Sequence, residues 1–251
     1  MRPEVIIIGI APDNYCYLIK ASNNDAAVID PADSGAVMAE VEKRNLNLQF
    51  ILATHHHSDH TAGIPDLKRK TGALVYGGDK RIKSIDKVLQ DGDVFLLGDI
   101  EFEVMGMPGH TRHQLAYYLA NHEMIFTGDT LFGAGCGRIF EGSADQLYNS
   151  LMKICALPDD TLIYFGHEYT LENLEFAAMV DADNQDVTLR LEEVRQLRKE
   201  KKVTVPSTVM LEKATNPFLR VHTIAIRKYL SMVDRSVVAV FEELRKRKNR
   251  F

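Results

Sequence analysis

The sequence predicts an α+β fold in which layered sheets carry helices on the outside, followed by a smaller helical domain. Three observations carry that prediction. Short apolar runs bounded by turn residues fill the first two-thirds of the chain. Amphipathic stretches with helical spacing lie between some of them, and from about Thr170 the helical pattern takes over. Several runs alternate and are joined by short turns, which argues against a purely parallel sheet. A length of 251 residues suits one large domain or two unequal ones, and the change of character divides the chain into 1–169 and 170–251.

The first strands are expected at VIIIGI (5–10), NYCYLIK (14–20) and AAVID (26–30). SGAVMAEVEKRN (34–45) then has helical spacing and opens at Ser34 as a cap. LQFILATH (48–55), ALVYG (73–77), DIEFEVMGM (99–107), EMIFTGD (123–129) and TLIYFGH (161–167) are further strands. Between the last two, SADQLYNSLMKICAL (143–157) opens with Ser143 and carries Gln146 three residues on, the pairing of a helix capping box. Beyond Thr170, LENLEFAAMV, VTLRLEEVRQLRKEKK and VVAVFEELRKRKNR all read as helix, and no strand is expected among them.

With 45% hydrophobic and 26% charged residues the composition is that of an ordinary globular protein. The opening MRPEVIIIGI has an apolar run too short for a signal peptide. No stretch reaches the roughly 18 uncharged apolar residues a membrane helix requires. Cys16, Cys136 and Cys155 are odd in number with no close pair, which fits a reducing cytoplasm rather than a disulfide framework. A monomer without membrane partners is expected. The net charge of −5 hides an asymmetry: residues 1–189 hold 14 basic against 28 acidic residues, and residues 190–251 hold 16 against 7. A basic C-terminal end of this kind suits an anionic partner, with nucleic acid among the candidates.

The stretch THHHSDHTAG (54–63) crowds four histidines and an aspartate behind a strand. In an extended strand end alternate side chains point the same way, so His55 and His57 share a face and His56 points away. After a tight turn, Asp59 and His60 open the helical stretch that follows, placed for a second ion beside the first. His110, Asp129 and His167 also stand where apolar strands stop, each directly after a glycine that permits close backbone approach. Imidazole with carboxylate suits zinc, with iron or manganese as alternatives. A shared carboxylate such as Asp129 can bridge two ions roughly 3.5–4 Å apart. The ordinary account of a histidine after a strand, a hydrogen-bonded polar residue, is the better one for His113, His122 and His222, and packing behind the site is the better one for His56.

HHHSDH, then GHT, TGDTLF and GHEYT in this order resemble the metallo-β-lactamase superfamily. FTGDTLFGAGCGRIFEGSADQLYNSL and GHEYTLENLEFA resemble the glyoxalase II (hydroxyacylglutathione hydrolase) family within it, and the likeness covers nearly the whole chain. It implies a four-layer αββα metallo-β-lactamase sandwich over 1–169, the catalytic domain, and a helical substrate-binding domain over 170–251. It implies two divalent metal ions, one held by His55, His57 and His110, the other by Asp59, His60 and His167, with Asp129 bridging. Glutathione would be held by Arg138, Tyr169, Arg245 and Lys248, the last two from LRKRKNRF. His113 and Gln114 stand where the family usually has Gly-His, and Asn249 stands where it usually has aspartate; neither departure touches an implied metal ligand.

The implied reaction is hydrolysis of S-(2-hydroxyacyl)glutathione thioesters, S-D-lactoylglutathione giving D-lactate and glutathione, by a metal-bridging hydroxide that Asp59 orients. Bound water acidified to a pKa of about 7 attacks the thioester carbonyl, and a thiolate with a parent pKa near 8.5 leaves without a strong general acid. The cysteines are not needed as nucleophiles. Other enzymes of the same scaffold, a lactonase or an iron persulfide dioxygenase, are disfavoured by the helical domain and by GRIFEG and LRKRK. A nucleic-acid-processing metallohydrolase would want basic residues beside the metal cluster, and Lys68 is the nearest in sequence.

Overall fold

The computed structural model of the protein describes residues 2–10 and 12–251. Its chain divides into two compact units. The first runs to Met107 and resumes over His113–Gly128; the second comprises Pro108–Arg112 and Asp129–Phe251.

In the first unit, β1 (Glu4–Ile10), β2 (Asn14–Lys20) and β3 (Asp25–Ile29) pair antiparallel in succession. Helix α1 (Ser34–Lys43) then crosses to β4 (Asn47–Ala53), parallel to β3; α2 (Ser58–Thr61) and α3 (Ile64–Thr71) cross to β5 (Leu74–Gly77), parallel to β4, and β6 (Lys87–Val88) closes this sheet. The crossovers are helical because parallel neighbours cannot be joined by a tight hairpin. A second, antiparallel sheet is formed by β7 (Val94–Leu97), β8 (Ile100–Gly106), β9 (Leu115–Leu119) and β10 (Met124–Gly128).

Strand periodicity places the core. Cys16 and Leu18 of β2 and Ile51 and Ala53 of β4 pack with Val37, Val41, Ile64 and Leu67 of α1 and α3. The alternate residues point to the second sheet: Tyr17 meets Phe126 at 5.4 Å between ring centroids, and Phe50 meets Phe95 at 5.4 Å. This unit therefore supplies a helical layer and two face-to-face sheets, consistent with the expected sandwich. Asp33, rather than Ser34, caps α1, its carboxylate accepting from the amides of Gly35 and Ala36.

The second unit opens with the short hairpin β11 (Leu131–Phe132) and β12 (Gly135–Cys136), followed by α4 (Ala144–Cys155) and β13 (Leu162–Phe165). Ser143 and Gln146 form the expected capping box. Then come α5 (Thr170–Val180), α6 (Gln185–Lys199), β14 (Ser207–Thr208), α7 (Val209–Thr215), α8 (Ile224–Tyr229) and α9 (Val237–Lys248). The strand β14, where none was expected, is two residues long and pairs with β13. Leu174 and Ala177 of α5 pack against Val187, Leu191 and Val194 of α6. Among the described residues no helix is long and apolar enough to cross a membrane.

Candidate metal centre

The histidine segment begins where β4 stops. Asp30, just past the neighbouring β3 and in the left-handed region at φ 53°, turns its carboxylate across the strand ends. Its Oδ1 accepts from the Thr54 amide at 2.7 Å and its Oδ2 from the Thr54 hydroxyl at 2.7 Å. The hydroxyl has only one hydrogen, so toward His55 Nδ1, 3.1 Å away, it can act only as acceptor. His55 Nδ1 therefore carries the proton and Nε2 the lone pair. His60 Nδ1 lies 3.1 Å from Asp30 Oδ2 and donates to it, which again places the lone pair on Nε2.

His55 Nε2 faces His57 Nδ1 at 3.0 Å, a separation at which two ring nitrogens share a proton or a cation. Asp59 Oδ2 lies 3.6 Å from His60 Nε2, and Asn14 steadies this turn by donating to the Asp59 carbonyl at 2.9 Å. His55 and His60 are fully buried while the Asp59 side chain is half exposed, so polar ligand atoms line an opening. His56 points elsewhere as expected, its Nδ1 3.6 Å from Asp79, whose carboxylate Arg81 holds through Nε and Nη2.

The second unit gathers three further residues singled out in the sequence. Asp129 Oδ2 lies 3.5 Å from His110 Nε2 and 3.4 Å from His167 Nε2. His110 Nδ1 donates to the Arg138 carbonyl at 2.8 Å, so its Nε2 too carries the lone pair. Gly137 permits this crowding: a Cβ there would stand 2.0 Å from the Asp129 carbonyl oxygen and 3.0 Å from His110 Nδ1. Gly109 and Gly128, before two of the ligands, are instead forced by close packing. At Gly109 a Cβ would meet Leu147 at 2.6 Å, and at Gly128, φ 49°, it would meet Thr54 Oγ1 at 2.3 Å.

The donor chemistry fits a divalent metal. Three imidazoles have one nitrogen bound to a second partner and present the other to a neighbouring ligand atom, the way metal-ligating histidines are oriented. Asp30, His55 and His60 bring ligand atoms within 4.8 Å of one another in the first unit alone. Sequence reasoning missed Asp30, read only as the end of a strand, and Asp79; a carboxylate whose partners lie 24 to 30 residues away leaves no local signal.

The residues implied for substrate lie in the second unit. Arg138 is exposed, and Tyr169 is half-buried with its ring stacked on His167 at 4.8 Å and 3°. Arg245 and Lys248 are buried. Arg245 Nη1 donates to the Cys136 carbonyl at 2.7 Å, Nε to Asn249 Oδ1 at 3.2 Å, and the guanidinium covers the Phe218 ring. Asn249 thus accepts as the family's usual aspartate could. Lys248 Nζ pairs with Glu172, whose side chain is largely exposed, and burial pulls the Lys248 pKa below its ordinary value although Glu172 acts to raise it. A cleft of about 550 Å³ opens between Ile139, Ala144, Val238, Arg245 and Asn249.

Residues 11–167 match the family model described as the metallo-beta-lactamase superfamily, and residues 168–251 match hydroxyacylglutathione hydrolase C-terminus. Hydroxyacylglutathione hydrolases of Brucella ovis and Brucella abortus are 44% identical to the chain over 243 residues, covering 95% of the chain and 95% of each relative. Among solved structures, ETHE1 from Myxococcus xanthus superposes with a TM-score of 0.70 at 24% identity, covering 98% of both chains. TTHA1623 in a di-iron-bound form does so at 0.64 and 23%, covering 85% of this chain and 100% of that one. The structural likenesses show the metallo-β-lactamase fold; the sequence matches, which span both halves, show that the chain belongs to the hydroxyacylglutathione hydrolase family of the metallo-β-lactamase superfamily.

Proposed function

We propose that the protein hydrolyses S-(2-hydroxyacyl)glutathione thioesters, with S-D-lactoylglutathione giving D-lactate and glutathione. The observation that carries this reading is family membership over the whole chain, including the C-terminal segment with Tyr169, Arg245 and Lys248. His55, His57 and His110 would hold one ion and Asp59, His60 and His167 the other, with Asp129 as a further ligand. Zinc is the proposed ion, since imidazole with carboxylate is its usual company. Such a centre, when loaded, acidifies a water and polarises the thioester carbonyl.

The chain's own residues do the rest. Asp30 and the Arg138 carbonyl hold protons on Nδ1 of His60 and His110, which keeps their Nε2 atoms as ligands. Asp59, half exposed, would accept a hydrogen bond from a water at the site and so orient it. Tyr169, stacked on His167, closes one wall. Glutathione carboxylates are taken by Arg138, Arg245 and Lys248, the substrate replacing Glu172 at Lys248; the cleft beside Arg245 is of a size that suits a ligand of this kind. The division into a catalytic part to residue 169 and a substrate-binding part from 170, and a cytoplasmic monomer without nucleic-acid partners, complete the proposal; the three cysteines, none in a disulfide, accord with a reducing compartment.

Purified protein assayed against S-D-lactoylglutathione, a lactone and a glutathione persulfide tests the reading. Rapid cleavage of the thioester alone is expected; preference for either of the other substrates would overturn it.

A further inference from the structure

The hairpin β11–β12 is too short to hold itself. Its strands share only the register Leu131 with Cys136 and Phe132 with Gly135, and two-stranded ribbons are marginal even when longer. Two glycines in its tip region add conformational freedom that folding must remove.

Side chains from the helical segment supply what the hairpin lacks. Asn173 of α5 donates to the Gly133 carbonyl at 3.1 Å. Glu212 of α7 accepts from the Ala134 amide at 2.8 Å. Asn216, at the end of α7, donates to the carbonyls of Phe132 at 3.4 Å and Gly135 at 2.9 Å. With Arg245 on the Cys136 carbonyl, each residue from Phe132 to Cys136 has a main-chain group bonded to a side chain at least 40 residues away. Glu212 and Asn216 are fully buried, and Glu212 is itself fixed by Arg190 and Ser207, each at 2.6 Å. The approach is as close as backbone allows: a Cβ at Gly133 would stand 2.4 Å from Thr170 Oγ1, and one at Gly135 would stand 2.3 Å from Asn173 Nδ2.

The base of this hairpin carries the candidate ligands. Asp129 enters it, the Gly137 amide bonds the Thr130 carbonyl at 3.3 Å, and the Arg138 carbonyl orients His110. Any shift of the hairpin therefore moves a carboxylate ligand and the acceptor that fixes an imidazole ligand. We propose that Asn173, Glu212 and Asn216 are positioning residues for the metal centre, so that the helical segment sets the ligand geometry at Asp129 and His110 in addition to binding substrate. The inference rests on the metal-centre reading above.

The test compares Asn216→Ala and Asn173→Ala with Arg220→Ala. Arg220 pairs with Asp181 at 2.8 Å in the same segment and bonds no hairpin atom, so its loss reports destabilisation alone. Zinc affinity is measured on each full-length protein by competition with a chromophoric chelator, beside thermal unfolding of the zinc-free form. Both asparagine variants should lose about ten- to a hundredfold in zinc affinity, the usual effect of removing an outer support of a ligand. Arg220→Ala should melt earlier yet bind zinc as the wild type does. Wild-type affinity in the asparagine variants, or an equal loss in Arg220→Ala, would overturn the inference. Asn173→Ala, which removes one hydrogen bond, decides the matter if Asn216→Ala does not fold. Wild-type protein that binds no zinc would instead sink the metal-centre reading itself.

Discussion

Replacing Asp30 with asparagine changes one oxygen to an amide nitrogen at a place where three donors converge. The carboxylate accepts from the Thr54 amide, the Thr54 hydroxyl and His60 Nδ1. An amide oxygen can keep the Thr54 amide bond, but its NH2 group then faces His60 and the Thr54 hydroxyl. The hydroxyl can rotate away; the imidazole, fully buried, can relieve the clash only by moving its proton to Nε2. That is the nitrogen the centre needs as a lone-pair donor. A hydrogen bond to a charged group contributes about 1.5–3 kcal/mol, and at about 1.4 kcal/mol per factor of ten this amounts to roughly a ten- to hundredfold loss of affinity. Removal of an outer-shell partner of a metal ligand independently leads to the same range.

Chelator competition on Asp30→Asn should thus show one ion bound about ten- to a hundredfold more weakly, and nitrogen NMR of the metal-free protein should show the His60 proton moved from Nδ1 to Nε2. The fold should survive, since the side-chain volume is kept. Wild-type affinity, or a His60 proton that stays on Nδ1, would refute the proton assignment on which the ligand geometry rests.

Three further outcomes follow from the same structure. Gly137→Ala forces a Cβ against the Asp129 carbonyl and His110; overpacking of this kind costs about 1–3 kcal/mol, read as a lower melting temperature with reduced metal content, and wild-type values in both would contradict the crowding. Lys248→Ala should raise KM for glutathione thioesters about ten- to a hundredfold with kcat nearly unchanged, while a small thioester without carboxylates is cleaved as by the wild type; equal damage to both substrates would make Lys248 a structural residue only. Burial raises the Cys136 thiol from an ordinary 9.0 to about 11, although Arg245 opposes the shift. Because the folded value is the higher one, the stability this thiol contributes is complete below pH 9 and is lost as pH climbs through about 11, a change on the order of 3 kcal/mol. Urea unfolding of wild type and Cys136→Ala across that window should converge by this amount, and parallel curves would contradict the burial argument.

Much of the arrangement was legible because the relevant signals are local. Strand runs, the Ser143–Gln146 capping box and the spacing of His55, His57, Asp59 and His60 depend on residues a few positions apart. What was not legible depends on distant partners. Asp30 reads as an ordinary strand end until β3 and β4 lie side by side. Asp33 outcompetes Ser34 as the α1 cap because its carboxylate reaches two amides. Arg245 and Lys248 stand in a basic helix end that the sequence offers to a substrate anion, but nothing local shows that both side chains are buried or that their partners are Cys136 and Glu172, 109 and 76 residues away. The grip of α5 and α7 on the Gly-rich hairpin likewise rests on single side chains, Asn173, Glu212 and Asn216, whose hairpin partners lie 40 to 84 residues away.

The central claim is that turnover depends on divalent metal held by the proposed histidine and aspartate ligands. Elemental analysis and S-D-lactoylglutathione hydrolysis, measured on one preparation before chelation, after it and after zinc is returned, test it most directly. About two ions per chain, activity lost with them and recovered on their return, is the predicted result. Full activity in metal-free protein would contradict it.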